Sequence, residues 1–180
     1  MPPKIFSIVR LANGEVGEFH RLAHKIWPVT FKDILSEVQI AYMLQLMYSK
    51  ESLLKQQQDG CKLYLLQADE QSIGYLSIQH NKENTSKTKV HKIYVLPEYH
   101  GTGAGRFLMD FALAEARKEN AKAVFLNVNR YNNAIGFYNH YGFKKMYSED
   151  IDIGSGHLME DWVMEIAIPL TPEGGTSFLL

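Results

Sequence analysis

The sequence predicts an α/β fold built on one mixed sheet. Two observations carry this. The hydrophobic pattern changes near residue 60, from apolar residues at helical spacing to short β-type runs. One long helical stretch then sits between two strands in the middle of the chain, and strands outnumber helices overall. The order reads β, α, α, β, β, β, α, β, α, β, β, a layered arrangement with a mixed sheet.

Each element has its own signal. Residues 5–10 form a first short strand. Asn13-Gly14-Glu15 opens a helical stretch in which Val16, Phe19, Leu22, Ala23 and Ile26 recur at helical spacing until Pro28, which is expected to interrupt it. Residues 38–48 form a second helix, with Ile40, Met43, Leu44 and Met47 on one face, and 52–58 a further short one ended by Asp59-Gly60. Residues 63–68 and 73–78 read as an antiparallel hairpin, 81–87 as a polar turn, and 89–96 as a β-rich run stopped by Pro97. A long helix spans 103–120, a strand 123–128, and a short helix 134–141 with Gly142 as its C-cap. Residues 144–153 and 162–168 close the sheet around Gly154-Ser155-Gly156. Residues 1–170 are expected to form a single domain and 171–180 a loose tail.

Composition narrows the function. The 180 residues carry 19 Lys+Arg against 20 Asp+Glu, a net charge of -1, which argues against a generic nucleic-acid binder. Cys61 is the one cysteine, so neither a disulfide framework nor a multi-cysteine zinc site fits within one chain. No run of about 18 apolar residues suggests a membrane helix, and the first residues do not read as a secretory signal. The expectation is a soluble, cytoplasmic protein.

The most informative segment is Val95-Leu96-Pro97-Glu98-Tyr99-His100-Gly101-Thr102-Gly103-Ala104-Gly105-Arg106. A strand ends, three glycines alternate, and a helix begins. Glycines let the backbone turn tightly and approach a ligand closely, and the amides of a new helix favour an anion such as a phosphate. Gly105 is followed by Arg106-Phe107 rather than Lys-Ser/Thr, so the P-loop pattern fails. The dinucleotide fingerprint fails as well, for want of its third glycine.

Residues 126–143 add a second constellation: a strand, an Asn-rich turn, a short helix carrying Tyr138, then Gly142-Phe143. Together with His100-Gly101-Thr102-Gly103-Ala104-Gly105, which matches the family's Gln/Arg-x-x-Gly-x-Gly/Ala apart from His100, this resembles the Gcn5-related N-acetyltransferase (GNAT) superfamily. The resemblance covers about residues 5–168, and within the family it is closest to bacterial spermidine/spermine N-acetyltransferases. It implies the GNAT fold, a mixed central sheet of about seven strands with about four helices on its two faces.

The resemblance also implies a site. Acetyl-CoA, the cosubstrate, would lie in a V-shaped gap between the strands at 89–96 and 123–128. Backbone groups of Ile93, Tyr94 and Val95 would pair with its acetyl and pantetheine arm. The amides of Gly101, Thr102, Gly103, Ala104, Gly105 and Arg106 would hold the pyrophosphate, and Asn132 or its neighbour Asn133 would bond the arm. Tyr138 matches the family's tyrosine near the sulfur. A phenol with a pKa near ~10 stays protonated at neutral pH and can donate to a leaving thiolate. The amide near Tyr94 or Val95 would stabilise the developing oxyanion. No metal is needed.

The expected reaction is transfer of acetyl to a primary amine, possible acceptors being a polyamine, another small amine, an amino acid, or a protein N-terminus or lysine. The contrasting expectation is a non-catalytic acyl-CoA-binding module. The family often dimerises, so a homodimer is part of what the resemblance implies. The general base is open: some relatives carry glutamate where Asn127 stands, and His91 or a water chain are the alternatives. Lys82, Lys87, Lys89 and Lys92 read as an exposed basic run. His20 and His24 read as a solvated or partly buried helix face rather than a metal pair. Residues 148–161 hold five carboxylates and no Lys or Arg, either an ordinary acidic hairpin or a rim that attracts a cationic amine.

Overall fold

The computed structural model describes residues 5–169; the tail expected at 171–180 lies outside them. The chain opens with β1 (Phe6–Arg10) and α1 (Gly17–Phe31). Phe19, Leu22, Ala23, Ile26, Trp27 and Phe31 form the buried stripe of α1. Pro28 does not end this helix, against the sequence expectation. Proline in a helix costs about 3 kcal/mol, but the last turn is held by Trp27 and Phe31, buried with ring centroids 4.4 Å apart. Next come α2 (Glu37–Tyr48), capped by the Ser36 hydroxyl on the Gln39 amide, and α3 (Lys50–Gln58), capped by Ser49 on the Ser52 amide. That second cap makes α3 the separate short helix expected near 52–58, and the described residues hold five α-helices in all.

β2 (Lys62–Ala68) and β3 (Gln71–His80) form a hairpin whose two turn residues, Asp69 and Glu70, both have positive φ, as the strand twist of a tight hairpin requires. After a short turn come β4 (Lys87–Val95), α4 (Ala104–Lys118), β5 (Ala123–Asn129) and α5 (Ala134–Tyr141). β6 (Lys144–Gly154) and β7 (His157–Ala167) close the sheet. β7 begins at His157, not at 162 as expected, so the acidic stretch lies within paired strands.

The seven strands run in the order β1-β2-β3-β4-β5-β7-β6. β4 and β5 are parallel; the other neighbours are antiparallel. Helices α1 and α2 cover one face of the sheet, where Phe19 stacks on Tyr75 at 4.4 Å. Helix α4 covers the other, where Phe111 meets Tyr64 at 4.9 Å. Tyr42 of α2 donates to the Ile153 carbonyl at 2.6 Å, tying the helical side to the β6–β7 hairpin.

The feature that positions the site is the parting of the parallel pair. β4 and β5 pair from Lys87–Ala123 to Val90–Leu126 and then separate, although both strands continue. On its other edge β4 carries a bulge at the same level. Ser77 faces Lys92 and Ile78 faces Val90, leaving His91 as the extra residue. A bulge bends its strand and increases local twist, which turns the end of β4 away from β5.

Candidate active site

Past the bulge, Ile93, Tyr94 and Val95 pair with Leu76, Tyr75 and Gly74 of β3. Their opposite edge borders the gap left by β5. Gly74 permits this close pairing: a Cβ there would lie 2.6 Å from the Tyr94 carbonyl oxygen.

β4 runs into a 3-10 turn at Pro97–Tyr99, and the His100 Nε2–H donates back to the Val95 carbonyl at 3.0 Å. The residue that departs from the family pattern thus anchors the loop to the strand. Gly101 and Gly103 have φ of 74° and 89°, values that L side chains rarely adopt. A Cβ on either would meet nothing within 4 Å, so the turn faces open space. The first helical bond of α4 runs from the Phe107 amide to the Gly103 carbonyl at 2.9 Å. The amides of Ala104, Gly105 and Arg106 therefore have no intrahelical acceptor and lie at the positive end of the helix, where an anion is favoured. The Arg106 side chain turns toward α5 instead. Its guanidinium lies 5.8 Å from the Tyr141 ring centroid and 4.0 Å from Asp110, which accepts a short bond from the Tyr141 hydroxyl.

α5 starts beside this loop. The Asn132 Oδ1 accepts from the Ala134 amide at 2.8 Å, whereas Asn133 makes no cap bond with its side chain. The side-chain amide of Asn132 is thereby oriented by the turn. Tyr138 is 7% exposed and packs between Phe137 and Phe143, with centroids at 5.4 and 5.8 Å. Burial raises its phenol pKa, and Tyr94 feels the Tyr138 phenol electrostatically. The glycine turn thus touches both neighbours: His100 bonds the end of β4, and Gly105 and Arg106 lie against Phe137 and Tyr141 of α5.

The face toward α1 and α2 holds what the sequence reading missed. Tyr94 lies in an aromatic cluster with Trp27 (5.9 Å), Phe31 (6.2 Å) and Tyr75 (5.4 Å). Trp27 Nε1 donates to the Tyr48 hydroxyl at 3.0 Å. Lys92 is not on an exposed basic face: it is 8% exposed, donates to Gln56 Oε1 at 2.6 Å and lies over the Tyr48 ring at 5.1 Å. Burial pushes its ammonium pKa down to about 8. Lys89 is only partly exposed, over Phe125 at 5.6 Å, and Lys87 pairs with Glu165 at 2.6 Å. His91 Nε2 is engaged by Gln79 Oε1 at 3.0 Å, and burial pushes its pKa down to about 3, which makes it a poor base at neutral pH. His20 and His24 bond the carbonyls of Tyr48 and His20 through Nδ1, consistent with a helix face.

The acidic stretch divides as well. Arg130 holds Asp150 at 2.6 Å and Glu160 at 3.3 Å. Asn127 Nδ2 donates to Glu149 Oε1 at 2.6 Å. Asp161 is 4% exposed, and burial pushes its carboxyl pKa up to about 6. No local sequence signal separates Lys92 or Asp161 from their exposed neighbours, because the bulge and the hairpin register decide which residues turn inward.

The model of the acetyltransferase (GNAT) domain matches residues 32–159. The chain belongs to the GNAT family, enzymes that use acetyl-CoA as donor. Over 161 residues it is 31% identical to a spermidine N(1)-acetyltransferase of Thermoplasma acidophilum, covering 86% of this chain and 95% of that one. A 77-residue stretch is 42% identical to an uncharacterised N-acetyltransferase of Mycobacterium tuberculosis, covering 42% of this chain and 49% of that protein; the chain spans about half the length of that relative. Among solved structures, the PaiA N-acetyltransferase of Thermoplasma acidophilum, in complex with coenzyme A, superposes with a TM-score of 0.75 at 26% identity, over 91% of this chain and 99% of that one.

Proposed function

We propose that this protein moves an acetyl group from acetyl-CoA to a primary aliphatic amine of the polyamine class, by direct attack with both substrates bound. The observation that carries the reading is the parting of β4 from β5 after Val90–Leu126, opening beside the free amides of α4.

In this reading the unpaired edge of Ile93, Tyr94 and Val95 binds the acyl arm as an added strand would. The amides of Gly101 through Arg106 hold the pyrophosphate, which suits their open surroundings and the positive end of the helix. The side-chain amide of Asn132 bonds the arm, favoured over Asn133 because the turn fixes its orientation. Tyr138 protonates the departing thiolate; burial keeps the phenol protonated throughout the working range. A backbone amide at Tyr94 or Val95 meets the oxyanion as charge develops. Cys61 takes no part: it is buried, and burial raises its thiol pKa.

The polyamine class rests on two supports. One is the similarity to a protein named spermidine N(1)-acetyltransferase. The other is the set of carboxylates on β6 and β7, of which Asp161 is buried and Glu149 half-buried. A cationic acceptor gains from that field, and salt screens it.

The test is thiol release from acetyl-CoA against spermidine, spermine, amino acids and a lysine peptide. Release with the polyamines, falling with salt more steeply than for a neutral amine, is the expected result. Release with the lysine peptide alone overturns the substrate class. No release with any amine, despite acetyl-CoA binding by calorimetry, overturns the enzyme reading in favour of a binding module.

A further inference from the structure

Among the described carboxylates of β6 and β7, Asp161 differs from its neighbours in burial and in partners. Asp150 and Glu160 share Arg130, and Glu149 is bonded by Asn127. Asp161 has no cation within ion-pair distance among the described residues, yet it is nine-tenths buried. Its register places it opposite Asn129 on β5 and Glu149 on β6. Asn129 lies three residues beyond Leu126, the last residue of β5 paired with β4, so Asp161 stands at the level of the open gap. It shares a face of the sheet with Asn127 and Glu149, and Tyr94 feels its charge from across the gap.

An alkylammonium acceptor must lose a proton before it can attack, because its pKa lies near ~10. His91 does not serve: Gln79 engages its Nε2, and burial pushes its pKa down to about 3, too weak a base to hold the proton of an ammonium at neutral pH. Asn127 cannot take a proton. We propose that Asp161 is the proton acceptor for the attacking amine, directly or through one water; this rests on the acetyltransferase reading above.

Protons and bonds balance as follows. The ammonium gives one proton to the Asp161 carboxylate, which releases it to solvent. The freed lone pair forms the nitrogen–carbon bond as the carbon–sulfur bond breaks. The sulfur takes a proton from Tyr138, and the second proton leaving nitrogen restores that phenol through solvent. The net yield is amide, thiol and one proton.

The surroundings of Asp161 set when it can act. Burial and Glu149 on β6 disfavour its charge. The Asn127 amide on β5, Lys89 on β4 and Arg130 after β5 favour it. The balance leaves the carboxyl raised to about 6, ionised at pH 7 yet more basic than an ordinary aspartate.

The experiment is the pH dependence of kcat/KM for spermidine with Asp161→Asn in the full chain. The wild type is expected to reach a plateau just above pH 6. The variant is expected to lose about 100-fold at pH 7 and then to rise about tenfold per pH unit toward the pKa of the amine, as free base becomes abundant. Asp161→Glu should restore the plateau, and acetyl-CoA affinity should be unchanged in both. A loss that is the same at every pH makes Asp161 a structural or binding group and overturns the proposal; so does an unchanged rate. The asparagine relieves a buried carboxylate, so its melting temperature at pH 8 should not fall below that of the wild type, which separates chemistry from misfolding. If the wild type turns over no amine, the acetyltransferase reading has failed and the base fails with it.

Discussion

Val90 of β4 faces Leu126 of β5, and beyond that pair the two parallel strands separate. The separation is built from backbone features on the far edge of β4. His91 is a bulge residue, and Gly74 lets β3 sit close against the end of β4. A sheet that stays paired on one edge and opens on the other presents hydrogen-bonding groups to a ligand without exposing its core.

Gly74→Ala tests how tightly that geometry is held. The new Cβ would lie 2.6 Å from the Tyr94 carbonyl oxygen, a backbone atom that cannot rotate away. We expect a loss of about 1–3 kcal/mol in stability, as for overpacked cores. Acetyl-CoA binding by calorimetry should weaken as β4 shifts. Unchanged melting and affinity would mean the strand end is pliant.

Gly103→Ala separates backbone conformation from space. Nothing lies within 4 Å of the added methyl, so no clash arises within the protein, but φ is 89°. Holding alanine in a left-handed conformation costs about 1–2 kcal/mol. Acetyl-CoA affinity should fall by about tenfold or more, since the turn relaxes where the free amides begin. Equal affinity would remove the glycine turn from the binding site.

Tyr138→Phe should lower kcat by about 100-fold while leaving acetyl-CoA affinity within about twofold. The ring keeps its packing between Phe137 and Phe143, so folding is preserved. Because burial raises the phenol pKa, the wild type should show no loss of activity up to pH 10 from ionisation of this group. A rate that matches the wild type would take the acid role away from Tyr138.

Lys92→Met addresses the buried ammonium. The folded pKa, about 8, lies below the unfolded value near ~10.4. Between these values the unfolded chain holds a proton that the folded chain has released, so the Lys92 contribution to stability rises with pH. Burial raises the Cys61 thiol pKa, which acts in the opposite direction at alkaline pH; the Lys92 charge holds that rise back, so in the methionine variant the Cys61 loss is larger and shrinks its advantage in the same sense. The methionine variant should be more stable at pH 7, and its advantage should shrink by about 2 kcal/mol by pH 9.5. Parallel stability curves in denaturant titrations would show that Lys92 is already solvated in the fold.

Most elements and the glycine turn are readable from local residues alone. The strand–glycine–helix run around Gly101 and Gly103, the helix bearing Tyr138 and its Gly142 cap are local patterns, set by backbone preferences within a few residues. They are legible for that reason, and the expected bounds of the short helix, 134–141, are those of α5. Pro28 misled because the contacts that hold the end of α1 come from elsewhere in the chain: Tyr48 is 21 residues away from Trp27. Which side chains turn inward depends on long-range packing. Lys92 meets Gln56 across 36 residues and Asn127 meets Glu149 across 22. Neither pairing leaves a periodic trace: the bulge at His91 reverses the alternation ahead of Lys92, and a register shift between Lys145 and Tyr147 precedes Glu149. The chemistry of Asp161 belongs to this second group: an aspartate beside another acidic residue reads as surface charge, until the hairpin register carries it into the sheet beside the gap.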